Sequence, residues 1–141
     1  MSGERSLYEL VGGFDAILAV TRRWHELCLQ DSVAAHPFEH GLHPRHNERL
    51  AAYLAEALGG PQLYTGGYGD ESTVQRIHAG NGIHIELDEA CLRLFDQAIA
   101  EAGIRGEAAK RFSNYFRRAT EAMRIYSSGN NVPEGLAIEL A

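Results

Sequence analysis

Four stretches of this 141-residue sequence repeat their apolar residues every three or four positions, and each closes on glycine, proline or a small polar turn. That spacing is the period of one buried helix face. Over 14–30 the stripe is Ile17, Val20/Thr21, Trp24 and Leu27/Cys28, and Asp31-Ser32 begins the break. Over 44–58 it is Leu50, Tyr53/Leu54 and Ala57/Leu58. Pro44 suits a first helical turn, and Gly59-Gly60-Pro61 is a firm stop. Over 86–102 the stripe is Leu87, Ala90/Cys91, Leu94/Phe95 and Ala98, ended by Gly103; over 106–127 it is Phe112, Tyr115/Phe116, Ala119 and Met123.

The segments between are irregular. Gly12-Gly13 is a turn after a short N-terminal stretch, and Pro37, Gly41 and Pro44 interrupt 31–44. Residues 61–73, with Pro61, Gly66, Gly67 and Gly69, form a long loop of the kind that is often functional. A short helical piece is expected over 73–79, ending at Gly80. No alternating strand pattern, repeat or linker interrupts this. The expectation is a single all-α domain over 1–141, with 128–141 as a C-terminal tail that packs on the body or hangs free.

Composition narrows the function. The net charge of −6 argues against non-specific nucleic-acid binding and against anionic membrane surfaces, both of which need clustered cations. No apolar run approaches a membrane span. The opening MSGERSLYEL lacks the basic and apolar regions of a secretory signal, which predicts a cytoplasmic protein. Cys28 and Cys91 form no CxxC, and in a reducing compartment are expected as free thiols. Nucleophile elbows, phosphate loops and HExxH are missing. Asp70-Glu71 and Asp88-Glu89 are expected to serve helix caps and the helix dipole.

Seven histidines remain. His36, His40, His43 and His46 lie in HPFEHGLHPRH, and imidazole spacings of three and four suit a zinc or iron site. Pro37, Gly41 and Pro44 break any continuous helix there, so a partly exposed polar loop is the alternative. His25 follows Trp24 inside an amphipathic stretch, where a core-edge histidine bonded to a backbone carbonyl is the ordinary expectation. His78 has the same standing from its pattern alone, and His84 reads as loop surface.

The order of several segments resembles the truncated haemoglobins. SLYELVGG opens like that family, RRWHELCLQD stands in the place of its second helix, and HPF matches the turn with its haem-stacking aromatic. RLAAYLAEALGGP, YTGGYGDES and VQRIHAGNG follow in family order, over residues 7–126. The resemblance implies a globin-like two-over-two helical sandwich holding haem b. It makes His78 the proximal iron ligand, whose second ring nitrogen should donate to a carbonyl or similar acceptor. Phe38 falls at the aromatic on the porphyrin face, and His46 and Leu50 on the distal helix. Trp24 and Arg49 fall among the cofactor contacts. His25 replaces a tyrosine that usually donates to bound dioxygen, and Cys91 stands where one subgroup has tryptophan. The Trp-His pair and the glycine-rich loop resemble an actinobacterial branch grouped with group II; group I is the other assignment.

The implied function is binding of dioxygen, and of NO and CO, at a histidine-ligated iron. Oxygen transport, NO detoxification and oxidase or peroxidase chemistry all fit. His25 and His46 would be the catalytic pair, because imidazole can exchange protons near neutral pH. A reductase and a second copy of the chain are possible partners. Three alternatives stand beside this: a bis-histidine haem protein for electron transfer or sensing, a non-haem metal module on His36, His40, His43 and His46, and a helical interaction domain without a cofactor.

Overall fold

A computed structural model describes residues 5–38, 44–80, 82–129 and 131–141. Its helices are α1 (Leu7–Leu10), α2 (Gly13–Leu29), α3 (His46–Ala57), α4 (Glu71–His78), α5 (Ile85–Glu101) and α6 (Gly106–Ala122), with a 3-10 turn at His36–Phe38. No strand occurs among the described residues. α2 packs on α3 and on α5, and α5 packs on α6. This is the two-over-two arrangement that the family resemblance implied.

The stripes form the core. Ile17, Val20, Leu54, Phe95 and Phe112 are fully buried. Phe95 and Phe116 stack with centroids 3.7 Å apart, and Trp24 meets both edge-on at 5.9 and 5.5 Å. Thr21, equally buried, donates its hydroxyl to Leu18 O and shares it with Asn47 O of α3, so the one polar residue of the α2 stripe is satisfied.

The Gly-Gly-Pro stop has a long-range cause. The Tyr8 N–H donates to Leu58 O at 2.9 Å, which lays the α1 ring over the end of α3. A Cβ on Gly60 would overlap that ring and the Ala55 carbonyl. The long loop after it is tied down: the buried Glu56 carboxylate accepts from Tyr64 N, Thr65 N and Thr65 Oγ1.

Several local expectations are corrected. The N-terminal stretch contains α1, because Ser6 and Glu9 form a reciprocal capping box. α4 starts at Glu71, since Asp70 caps it by accepting from Thr73 N at 3.0 Å. α6 ends at Ala122, and 123–128 continue as turns. Glu71 does not serve the dipole alone: it is buried and accepts from Tyr53 Oη at 2.6 Å. Asp88 and Glu89 pair instead with Arg124 and Arg117 of α6 and its end. The tail packs: Ala141 N–H donates to Ala57 O, and Ile138 lies against the core.

Candidate functional site

α4 is a two-turn helix whose last residue is His78. Its Nδ1 lies 2.8 Å from Val74 O, one turn back on the same helix. A ring bonded to a carbonyl through Nδ1 is the donor there, so a neutral imidazole carries its free lone pair on Nε2. This supplies the acceptor that the sequence argument left unnamed. The i−4 carbonyl is the first group within a histidine's reach on a helix, so the spacing already pointed to Val74 once the helix was assigned. His78 is exposed, and so are Ile77, Ile83 and Ile85, each more than half.

A second group of residues comes from α2, the 3-10 turn and α3. The rings of His25, Phe38 and His46 form a triangle with centroid separations of 5.1, 5.7 and 5.9 Å. Trp24 stands behind it, 5.8 Å from Phe38 in edge contact. Its indole N–H donates to Cys91 O on α5 at 2.9 Å, which fixes Phe38's neighbour to the opposite helix pair. Leu50, one turn after His46, packs against the core from the same helix.

His46 is the anomalous member. Its Nδ1 is buried with no hydrogen-bond partner among the described residues. Burial, above all, and then the neighbouring His25 hold its pKa below the ordinary histidine value; His78 adds to the same direction from α4. The side chains of Asn47 and Glu48 oppose this, and the net direction favours the neutral ring. Arg49 has a similar mismatch: Nε is buried without a partner among the described residues, while the guanidinium lies 5.3 Å over the ring of Tyr68. Nothing in the sequence pointed to Tyr68, because the contact spans the irregular loop.

Cys91 contributes less directly. It is half-buried on α5 and its thiol is hydrogen-bonded to that of Cys28, which with burial holds Cys28 protonated. Both thiols are free. The histidine-rich segment divides. His36 is exposed in the 3-10 turn, His46 belongs to the ring triangle, and His40 and His43 lie outside the described residues. Among the described residues no group of three histidine, cysteine or carboxylate side chains is placed to hold a metal. His84 is exposed at the start of α5.

A helix-end imidazole with its Nε2 free and a ring cluster of His25, Phe38 and His46 within an all-α fold are the features that can be compared with known proteins. A family model for bacterial-like globins matches residues 6–125. The chain belongs to that family, and its relatives there are the truncated haemoglobins. It superposes on the haemoglobin of the thermophilic phototrophic bacterium Chloroflexus aurantiacus with a TM-score of 0.73 and 28% identity, covering 85% of this chain and 98% of that one. For the thermostable haemoglobin of the actinobacterium Thermobifida fusca the values are 0.71 and 25%, over 92% and 100%. The group II truncated haemoglobin of Bacillus anthracis shares the fold, with a TM-score of 0.77 at 20% identity over 86% and 92%. Membership implies a haem cofactor and haem-based gas binding. The residues present fit that group: one fixed imidazole, an aromatic and aliphatic wall, and an arginine nitrogen without a partner among the described residues. Among the described residues no helix is long and apolar enough to cross a membrane.

Proposed function

We propose that this chain is a cytoplasmic haem b protein that binds dioxygen, NO or CO at an iron held by His78, with His25 and His46 as the polar groups facing the ligand. The observation that carries the proposal is the 2.8 Å contact of His78 Nδ1 with Val74 O. It fixes ring orientation and tautomer and leaves the Nε2 lone pair free, as carbonyl partners of metal-bound histidines do. Haem supplies an iron that coordinates a small ligand and exchanges electrons with it.

The chain's own residues do the rest. Phe38, Trp24 and Leu50 exclude water from the face on which His25 and His46 lie. Arg49, with its Nε–H and positive charge, would help hold an anionic group of the cofactor. His25 replaces the usual phenol as hydrogen-bond donor to a bound ligand. His46, held neutral, can donate one N–H and accept at its other nitrogen. A neutral imidazole beside a second imidazole can take a proton from a peroxide and return it, which favours oxidase- or peroxidase-type chemistry over simple oxygen transport. Such turnover requires a reductase or another electron donor.

The neutrality of His46 also favours a second arrangement, in which it is a sixth iron ligand and the protein transfers electrons or senses. One experiment separates these. Absorption spectra of the haem-titrated protein are recorded in ferric, reduced and reduced-plus-CO states. The expected result is a saturable Soret band, high-spin when ferric and shifting with CO. A low-spin ferric spectrum without added ligand would establish the bis-histidine form. The absence of a saturable band would end the haem proposal.

A further inference from the structure

α4 is held at both of its ends by one stretch of chain that lies beyond the globin core. At the His78 end, Gly80 N–H donates to Tyr126 O at 3.1 Å and Gly82 N–H to Ser127 O at 3.0 Å. Gly129 lies so close to Gly80 that a Cβ on it would sit 3.1 Å from the Gly80 Cα, and its φ of +89° disfavours any other residue. At the other end, Ser72 Oγ donates to Pro133 O at 2.6 Å and accepts from Leu136 N–H at 2.9 Å. Ser72 is 1% exposed, so the α4 side of both hydrogen bonds is shielded from water. The chain leaving α6 therefore runs antiparallel to α4, touching first the end that bears His78 and then the end that bears Ser72.

The family match stops at residue 125, so the whole strap lies outside it. It is nevertheless anchored at its far end, where Ala141 N–H caps the Ala57 carbonyl. That carbonyl is one of the orphan acceptors of the α3 terminus. Exposed ion pairs of Glu134 with Arg76 and of Glu139 with Arg118 add little.

We infer that residues 126–129 and 131–136 position α4, and through it His78, with Ser72 as the positioning residue. This rests on the reading of His78 as the iron ligand. Ser72 and His78 are six residues apart on a helix, about 9 Å at 1.5 Å per residue. Over so short a length the helix moves as a rigid rod. A shift permitted at Ser72 reaches His78 as a change in the reach and tilt of its Nε2. With haem held by His78, the strap would limit how far that imidazole can shift, and so would influence ligand affinity.

The test uses full-length protein with two variants that cut the same contact from opposite sides. Ser72→Ala removes the hydroxyl from α4; Leu136→Pro removes the N–H from the strap and leaves α4 untouched. Hydrogen exchange of the apoprotein reads the strap itself. In both variants the amides of residues 75–78 are expected to exchange faster, about tenfold in Leu136→Pro, which loses one hydrogen bond, and more in Ser72→Ala, which loses two, with α2 and α5 unchanged. Resonance Raman of the reduced haem-loaded protein reads His78. The iron–histidine stretch is expected to shift in the same direction in both variants, with a changed CO association rate. Faster exchange with an unshifted stretch would overturn the inference, because the strap would then add stability without positioning the ligand. Unchanged exchange would overturn it at the first step. If wild-type protein took up no haem, the reading of His78 would fall, while the exchange data would still report whether the strap holds α4.

Discussion

His46 has a buried nitrogen that no described residue satisfies, and such a group costs about 1–3 kcal/mol. Replacing it with leucine is therefore expected to stabilise the apoprotein while harming the site. A pH dependence follows from the same burial. The folded state holds the His46 pKa below its unfolded value, so between the two the unfolded chain binds more protons. The unfavourable contribution is absent well above about pH 6.5, the ordinary histidine value, and grows as pH falls through it. Urea midpoints of apoprotein between pH 7.5 and 5.5 should fall more steeply for wild type than for His46→Leu. Parallel curves would show that the imidazole titrates as if exposed. At His25 the readout is kinetic. His25→Phe keeps a ring beside Phe38 but removes the donor, so bound dioxygen should dissociate about tenfold faster, the worth of one hydrogen bond in a dry site. An unchanged rate would assign the hydrogen bond to His46.

At the scale of elements, α4 is a short helix that depends on its surroundings. Eight residues cannot hold a helix by propensity, so its cap matters. Asp70 accepts from Thr73 N while Thr73 Oγ1 accepts from Asp70 N. Asp70→Ala should lower stability by about 1 kcal/mol, seen as a lower urea midpoint at an unchanged slope. The Thr73 amide also holds the Asp70 carboxyl below its ordinary pKa, so this contribution is present at neutral pH and fades as the carboxylate is protonated. Two kinds of element were unequally legible in the sequence. The stripes of α2, α3, α5 and α6 were plain because each is local and long. His78 was visible as a histidine before a glycine turn, but only the resemblance gave it a role. α1 was missed because its signal is a single Ser6–Glu9 box. The strap over α4, the Arg49–Tyr68 contact and the ring of Tyr8 over Gly60 were illegible, since each joins residues that no spacing rule connects. The sequence also left Asp88 and Glu89 as cap residues, when partners 28 and 36 positions away in α6 and its end decide their role.

The whole molecule separates the work of the core from the work of the site. Phe95, Phe112, Ile17 and Leu54 lie between the helix pairs, whereas His78 is exposed and contributes to the folded chain little beyond its bond to Val74 O. His78 can therefore be removed at little cost to the apoprotein, which exposes its part in linking haem binding to folding. A ligand that binds only the folded state stabilises it by about 2.7 kcal/mol at one hundred times its dissociation constant. Melting of wild type with excess haem should then occur several degrees above the apoprotein. His78→Ala should leave the apoprotein's Tm nearly unchanged, because it removes an exposed ring, and should abolish most of the haem-dependent rise. The two halves of this result test different things. A large fall in the apoprotein Tm would make His78 a structural residue. A full haem-dependent rise in the variant would place the iron on another imidazole, and the ring triangle of His25, Phe38 and His46 names where that imidazole would be sought.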